Sequence, residues 1–413
     1  GSEMCIRDSD KDGNYFVASE TDFGHPLVIT DNVKNETVGR DLISSLAAEW
    51  EIVEGLKIRT QLNYNYSTTV QDVYNASNTS QEAHDMNGIA QMNNTLSQDV
   101  LSETYVTFQR MFADRHNLTV MAGHSFDYNM GRTLSTTAYD FVNDALGNEN
   151  MGAGNPQKNV IDNTYQNSKL LSFYGRLNYA LDDKYLFTFT MRADGSSKFG
   201  RNNKWGYFPS VSAGWTLSNE PFLKDALKDV ASIRLRASWG KSGNNDIGNY
   251  ASLAGISSGS YAFGQTPVST TYEGSFTDAA LGWETTLQTN IGLDLGFFNG
   301  RLNVIGNWYN SISTDILYSY PISSISGATS TTTNMSGAKI RNRGFDIQLD
   351  ARLLTGKVNW NFSTNISVNR NKVVSMGGLD DIISTTERSV GSHITKEGEP
   401  IGSFYGYQAA GIM

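Results

Sequence analysis

Apolar and polar residues alternate along the stretch 283–310, and this alternation is the clearest structural pattern in the chain. In its first half, Leu287, Ile291 and Leu293 occupy alternate positions, while Asp294 and other polar residues occupy positions between them. Side chains of an extended chain point to opposite faces in turn, so this pattern predicts a β-strand with one apolar face.

A tight turn is predicted in the middle of this stretch, at Asn299 and Gly300. Asparagine and glycine accept the positive φ angles that both central residues of a type I′ turn require, and that turn matches the twist of paired strands. Leu302, Val304 and Trp308 then resume the apolar face. The stretch is therefore predicted to form a hairpin whose arms, at about a dozen residues each, are twice as long as ordinary strands.

The same alternation recurs along most of the chain and predicts an all-β, antiparallel fold of about twelve strands. Short connections such as Glu54–Gly55 and Thr355–Gly356 alternate with long polar ones. Residues 10–40 are predicted to form a loop, and Phe222–Lys228 a short helix. The predicted strands are 42–53, 56–68, 97–110, 116–129, 170–181, 185–194, 206–217, 232–241, the two arms of the hairpin, 342–354 and 357–370; the long connections are 69–95, 131–168, 243–282 and 316–339.

Lipid or a protein core can cover the apolar face of such a sheet, so alternation alone leaves two architectures open. Long strands, tight turns confined to one end and aromatic residues near strand ends, such as Tyr185, Phe208 and Trp215, favour a transmembrane β-barrel. A soluble β-sandwich would use strands of about five or six residues and would not separate short from long connections. No run of about 18 apolar residues occurs, so no transmembrane helix is predicted.

Composition removes several other classes of protein. The 413 residues carry a formal net charge of -10, without the clustered lysine and arginine residues of a nucleic-acid interface. Cys5 is the one cysteine, so neither an internal disulfide framework nor a cysteine-based zinc site is expected.

Short motifs of enzymes and metal sites are incomplete in this chain. Asp8, Asp10 and Asp12 resemble the start of a calcium-binding EF-hand loop, but the twelfth position is Ser19, where a bidentate glutamate is required. Gly255–Gly259 matches the spacing of a hydrolase nucleophile elbow, yet it lies in a glycine- and serine-rich segment without the strand-to-helix context. The histidines are scattered. We therefore expect no catalysis, no metal site and no cofactor.

Longer blocks of sequence carry a further signal. They are RADGSSKFG at 192–200, WGYFPSVSAGW at 205–215, LRASWGKSGN at 235–244, LGWET at 281–285, IRNRGFD at 340–346 and PIGSFYGY at 400–407. In this order they resemble the SusC/RagA-type, TonB-linked outer-membrane proteins of Bacteroidetes. The resemblance extends over residues 10–413 and is densest from Ser172 onward. Its signature positions in the first two blocks are Asp194, Gly195, Ser196, Ser197, Phe199, Gly206, Tyr207, Phe208, Pro209 and Trp215.

This resemblance implies a transporter of the cell outer membrane. Such proteins import nutrients, for example oligosaccharides or peptides, through a barrel of about 22 strands closed by an N-terminal plug. They work with a SusD-like surface lipoprotein and draw energy from the TonB–ExbB–ExbD complex. We expect residues 10–413 to form the central part of such a barrel, embedded in outer-membrane lipid and lacking the plug, and residues 1–9 to be a leader foreign to the native protein. A passive porin or a β-rich surface adhesin without TonB coupling is the alternative.

Physical reasons can be given for parts of the signature. Residues 194–197 are predicted to form an Asx-type turn as the chain leaves its strand, because aspartate and serine hydrogen-bond to nearby backbone and glycine accepts unusual dihedral angles. Tyr207, Phe208 and Pro209 are predicted to start the next strand with aromatic residues at the membrane interface. We interpret the signature as shaping the barrel and its loop rather than contacting a ligand.

Ligand or partner contacts are predicted instead from aromatic residues of the long connection 243–282, whose rings can stack on apolar faces of sugars or peptides. These residues are Tyr250, Tyr261, Phe263, Tyr272 and Phe276.

Overall fold

The computed structural model describes residues 26–227, 230–263, 266–323, 325, 328, 330–385, 391–406 and 411. Within these residues the chain forms three short α-helices and seventeen β-strands, and one sheet contains 14 of the strands. The all-β, mainly antiparallel fold predicted from the alternation is confirmed, although about twelve strands were expected. No helix in the described part of the chain is long and apolar enough to cross a membrane.

The helices and strands follow one another in a simple order. The helices are α1 (Pro26–Asn32), α2 (Gln81–Asp85) and α3 (Pro221–Leu227). The strands are β1 (Val33–Val53), β2 (Leu56–Asn75), β3 (Ile89–Phe112), β4 (His116–Tyr139), β5 (Val160–Leu181), β6 (Tyr185–Ser196), β7 (Trp205–Thr216), β8 (Ala231–Asn244), β9 (Gly255–Phe263), β10 (Thr266–Thr277), β11 (Glu284–Phe297), β12 (Leu302–Pro321), β13 (Ser330–Leu354), β14 (Trp360–Met376), β15 (Ile382–Thr385), β16 (Gly391–Thr395) and β17 (Ser403–Phe404).

Strands that are consecutive in the chain are mostly neighbours in the large sheet. The order is β1 to β8, then β11, β12, β13, β10 and β9, with β14 also paired to β13. The hairpin β9–β10 joins this sheet through a short parallel contact, where Phe276 pairs with Thr331 of β13. Strands β15, β16 and β17 form a separate three-stranded sheet.

Tight turns join alternate strand pairs, as the sequence predicted. Asn299 and Gly300 both have positive φ angles, of 55° and 75°, and the amide of Arg301 donates to the carbonyl of Phe298 at 3.2 Å. Asp182 and Asp183 turn the chain between β5 and β6 with φ angles of 52° and 54°. The predicted Asn-Gly turn of the hairpin β11–β12 is therefore confirmed.

Several strands extend much farther than predicted. Strand β13 begins at Ser330 rather than at residue 342, β1 begins at Val33 within the predicted loop 10–40, and β4 continues to Tyr139. These extensions are rich in Asn, Ser and Thr on both faces, so they show no hydropathy period, although threonine itself favours strands.

The connection 243–282, predicted to be a loop, contains the hairpin β9–β10. Its glycine and serine residues are typical of loops, but Thr, Val, Tyr and Phe are interspersed among them, and these residues favour extended structure. The short helix predicted at Phe222–Lys228 is present as α3, Pro221–Leu227.

The chain divides into two compact units, each with its own core. In the first, Tyr74 packs edge-on against Phe141 with ring centroids 5.7 Å apart, and Asp144 accepts hydrogen bonds from the Tyr74 hydroxyl at 2.7 Å and the Ser77 hydroxyl at 2.9 Å. In the second, Met335 and Ala338 of β13 are buried together with Val373 and Met376 of β14. The first unit is the described part of Gly1–Leu46, Gln61–Ser102 and Asp127–Ser168; the second is the described part of Ala47–Thr60, Glu103–Phe126 and Lys169–Met413.

The sheet of the second unit has one apolar and one polar face, because side chains in register alternate between them. We call these the apolar face and the polar face. One cross-strand row on the apolar face consists of Phe187, Ala213, Ala237, Ile291, Trp308, Phe345 and Val368. The adjacent row on the polar face consists of Gly214, Arg236, Gly292, Asn307, Asp346 and Ser367.

Glu220 fastens the tight-turn end of this sheet. It follows β7, is 7% exposed, and accepts hydrogen bonds from the Tyr185 hydroxyl at 2.6 Å and from Trp215 Nε1 at 3.0 Å. The Lys184 ammonium lies 3.7 Å from the same carboxylate. These contacts, led by the Tyr185 hydrogen bond, lower the pKa of Glu220 below its ordinary value.

We expect acid to loosen this end of the sheet through Glu220. Because the folded-state pKa lies below that of the unfolded chain, the contribution is complete at neutral pH and is lost as pH falls through the folded value, below about pH 4. The melting temperature in detergent should therefore fall over this range, and Glu220→Gln should remove part of that fall. An equal acid response in Glu220→Gln and in the exposed-turn control Glu54→Gln would contradict this assignment.

Candidate functional site

Two charged side chains on the polar face, Arg236 and Asp294, form an ion pair. Arg236 donates two hydrogen bonds to the Asp294 carboxylate, from Nε at 2.8 Å and from Nη2 at 2.6 Å, and a third to Asn307 Oδ1 at 3.0 Å. Gly292 leaves room for this guanidinium, because a Cβ there would lie 2.8 Å from it. A surface with bidentate ion pairs suits contact with water and polar solutes.

A second network on the polar face joins strands β5 and β6. Arg192 donates from Nε to Asp194 at 2.7 Å and from Nη2 to Ser172 at 2.8 Å, and its guanidinium lies over the ring of Tyr174 at 5.6 Å. The Tyr174 hydroxyl donates to Glu103 at 2.6 Å. The first residues of the RADGSS block therefore form a rigid polar network.

Three aromatic rings close the opposite end of the sheet from the tight turns. Trp283, which precedes β11, lies 5.2 Å from the ring of Phe199 and 5.3 Å from that of Phe208, measured between centroids. Its Nε1 donates to the carbonyl of Lys204 at 2.9 Å. Phe199 is 1% exposed and Phe208 8%, whereas Trp283 is half-buried. We call these three rings the aromatic cluster.

Two glycines make space for the aromatic cluster. A Cβ on Gly206 or Gly243 would collide with the ring of Phe208. Pairing between β7 and β8 ends at Ser210 and Gly240, next to Pro209, which has no amide hydrogen to donate. The aromatic cluster occupies the space where the two strands no longer pair.

A cavity of about 690 Å³ lies beside the aromatic cluster. Its polar lining includes Asn203, Lys241, Asp278, Asp315 and Asn334, and its aromatic lining includes Phe208 and Trp283. An aromatic wall combined with amide and charged groups can bind a polar ligand with apolar faces.

Part of this polar lining is held in place by the protein itself. Asn334 bonds the backbone of Gly282 twice, accepting from its amide at 2.7 Å and donating to its carbonyl at 3.0 Å. Asp278 accepts from the Thr333 hydroxyl at 2.6 Å. The cavity wall is therefore pre-formed at these positions.

The signature residues do not all lie where they were predicted. Asp194 and Gly195 continue strand β6 in register with β7, and Ser196, the last residue of β6, pairs with Leu170 of β5. The predicted Asx-type turn is wrong for Asp194, because its carboxylate accepts from Arg192 instead of the local backbone. The Ser196 hydroxyl accepts from the nearby amide of Lys198 at 3.3 Å, as predicted for serine in this segment. Ser197 accepts from the amide of Lys169 at 2.8 Å.

Among the signature aromatics, Phe208 was expected at the membrane interface, but its ring packs against Trp283 and is buried. Phe208 lies on the same side of β7 as Gly206, and this is the less exposed side of the strand. Tyr207 and Trp215 lie exposed on the other side of that strand. Trp283 was missed as a cluster residue, although it stands in the LGWET block.

The predicted ligand-contacting aromatics are distributed over the connection between β8 and β11. Tyr250 is exposed and has a φ angle of 64°. Phe276 lies next to the end of β10, close in sequence to the cavity residue Asp278, and its carbonyl accepts from the Thr331 hydroxyl at 3.1 Å. The side chains of Tyr261, Phe263 and Tyr272 lie outside the described residues.

No group of three or more His, Cys, Asp or Glu side chains within the described ranges is arranged to hold a metal ion. The EF-hand-like aspartates Asp8, Asp10 and Asp12 lie outside the described residues.

Comparison with known families places this sheet in context. The family model described as TonB dependent receptor-like, beta-barrel, matches residues 7–401. The chain belongs to this family. The predicted SusC/RagA resemblance and the outer-membrane β-barrel fold are thereby confirmed, and the family is one of receptors and transporters rather than enzymes.

Relatives and solved structures agree with this assignment. TonB-dependent receptor P3 of Formosa agariphila is 30% identical over 410 residues, covering 97% of this chain and 40% of the relative. TonB-dependent receptor SusC of Bacteroides thetaiotaomicron is 36% identical over 253 residues, covering 58% of this chain and 25% of SusC. The structure of the RagAB peptide transporter superposes with a TM-score of 0.84 over 93% of this chain and 42% of that one, at 23% identity, which shows a shared fold. This TonB-dependent receptor chain thus spans less than half the length of these relatives.

We expect a methyl group at Gly243 to displace the aromatic cluster. Gly243→Ala would place its Cβ against Phe208, and such overpacking typically costs about 1–3 kcal/mol. The unfolding midpoint in detergent and the near-ultraviolet dichroism of the tryptophans should both change. Gly248→Ala is the matched control, since a Cβ there meets nothing within 4 Å. Equal behaviour of the two variants would rule out the packing role given to Gly243.

Proposed function

We propose that this chain forms part of the barrel wall of an energy-coupled outer-membrane importer. The observation that carries the proposal is the family match over residues 7–401. The sheet formed by these residues has one apolar and one polar face, as the proposal requires. An apolar face suits contact with lipid, and a polar face suits a lumen through which hydrophilic solutes pass.

The cargo we propose is an oligosaccharide or a peptide. One relative is named SusC, and one structure with the same fold is described as a peptide transporter. The cavity beside the aromatic cluster offers an aromatic wall with amide and carboxylate groups, which suits either class. Tyr250, Tyr261, Phe263, Tyr272 and Phe276 are the further residues proposed to contact cargo or a partner.

Two partners complete the proposed transport cycle. A SusD-like surface lipoprotein would cover the long-connection end of the sheet, and the TonB–ExbB–ExbD complex would supply energy from the inner membrane. Both are carried over from the family resemblance. The loop aromatics from Tyr250 to Phe276 are the residues proposed to face the lipoprotein or the cargo, and no residue is assigned to the TonB contact.

Uptake measurements test this proposal directly. A strain lacking the gene should lose growth on at least one oligosaccharide or peptide mixture of a defined panel, and the intact gene should restore it. Import should stop when the proton-motive force is dissipated or TonB is deleted, because the barrel alone cannot supply the energy. Uptake that continues unchanged under both treatments would identify a passive porin, and unaltered growth on every mixture would favour an adhesin.

Cysteine labelling tests the proposed orientation, in which the tight turns face the periplasm. With Cys5→Ser as background, Asn299→Cys in the tight turn of β11–β12 should resist a membrane-impermeant maleimide on intact cells and react after the outer membrane is opened. Val142→Cys should react on intact cells, because Val142 is 95% exposed in the long connection after β4. Labelling of Asn299→Cys from outside would invert the orientation.

A further inference from the structure

Two alanines interrupt the row of large side chains on the apolar face. Ala213 of β7 pairs with Ala237 of β8, between Phe187 of β6 on one side and Ile291 of β11 on the other. Neighbouring strands lie about 4.8 Å apart, so two adjacent alanines leave a gap that spans the width of two strands.

This gap is a cavity of about 800 Å³ with an almost entirely apolar lining. Phe187 and Ile291 form its sides, and Trp215 and Leu235, one row nearer the tight turns, form its lower border. All four side chains are substantially exposed, so nothing in the described part of the chain covers them. We call this cavity the alanine groove.

We propose that the alanine groove seats one acyl chain of a membrane glycerophospholipid, as a fixed lipid site rather than as part of the fluid bilayer. The face that contains it is the lipid-facing side of an outer-membrane barrel, so hydrocarbon is the solvent there. An unfilled groove would forfeit dispersion contacts along its lining, and a flexible acyl chain can follow its irregular shape.

The polar groups below the groove lie at the level where the headgroup of such a lipid would sit. The Tyr185 hydroxyl and Trp215 Nε1 both donate to Glu220, so their polar tips point toward the tight-turn end while their rings border the groove. Tyrosine and tryptophan adopt this arrangement at the boundary of hydrocarbon and water.

A cation is present at the same level. The Lys184 ammonium lies 3.7 Å from Glu220, beyond ordinary hydrogen-bond length, so it keeps donors that can reach a phosphate oxygen. An acyl chain in the groove and a phosphate beside Lys184 would belong to one lipid molecule, which is why we choose a glycerophospholipid over a second copy of the barrel. The site requires membrane location alone and does not depend on the proposed import activity.

Filling the groove tests the proposal. The double variant Ala213→Leu/Ala237→Leu places two larger apolar side chains where the acyl chain would lie, and both alanines are exposed, so the sheet can accept them. Ala351→Leu is the matched control, because Ala351 of β13 is on the same face and pairs with Leu302, outside the groove. Heat-modifiable migration in gels checks that every variant is folded.

The readout is retention of phosphatidylethanolamine by the detergent-purified protein in native mass spectrometry. We expect the unmodified protein and Ala351→Leu to retain one lipid at concentrations where the double variant retains none, with an affinity difference of at least about tenfold, or about 1.4 kcal/mol. Diacylglycerol, which lacks the phosphate, should be retained less well than phosphatidylethanolamine.

Three results would overturn the proposal. Equal lipid retention by the double variant and the control would show that the groove is not the site. Equal retention of diacylglycerol and phosphatidylethanolamine would remove the role of Lys184. A protein that is dimeric before substitution and monomeric in the double variant would show that a second barrel, and not a lipid, covers the groove.

Discussion

A strand in lipid must satisfy its main-chain donors and acceptors through its neighbours, and this constraint governs the whole sheet. Ladder hydrogen bonds therefore continue from strand to strand, from β5 through β8 and on to β11, β12, β13 and β14. Local irregularities interrupt the ladders at few places, such as the register shift between Thr314 and Ile316 of β12, where Asp315 has a φ angle of 53°. Where pairing between β7 and β8 ceases, at Ser210, the chain places a proline without a donor and covers the opening with the aromatic cluster.

Continuous pairing also fixes which side chains share a face of the sheet, because the hydrogen-bond ladder sets the register of each strand. A shift of one residue in β8 would place Arg236 in lipid and Leu235 in the lumen. The diagonal ion pair of Arg236 with Asp294 and the hydrogen bond from Arg236 to Asn307, which shares its cross-strand row, stabilise the observed register, as does the apolar row one residue away. Register and solvent preference therefore support each other.

Sequence reasoning recovered what is local and missed what is long-range. The alternation around Ile291 and the Asn299–Gly300 turn predicted hairpin β11–β12 correctly, since alternation and turn preference both depend on residues that are close in the sequence. The polar outer part of β13 and the hairpin β9–β10 were missed because they lack that period. Contacts such as Trp283 with Phe208 join residues far apart in the chain, so no local pattern reveals them, and the same holds for the cavity that they border.

Small residues at two places along strand β8 have opposite effects for one physical reason. At Gly243 the missing side chain is replaced by the ring of Phe208, so the space is filled by the chain itself and the strand ends are fastened. At Ala237 and its partner Ala213 no side chain of the described residues enters the space, although large apolar groups surround it. Side chains fill the available space in protein interiors, whereas lipid fills the gaps on the surface of a membrane protein. A lipid can therefore bind at a defined position in the gap bordered by Trp215 and Phe187, whereas a uniform apolar surface gives it no preferred position.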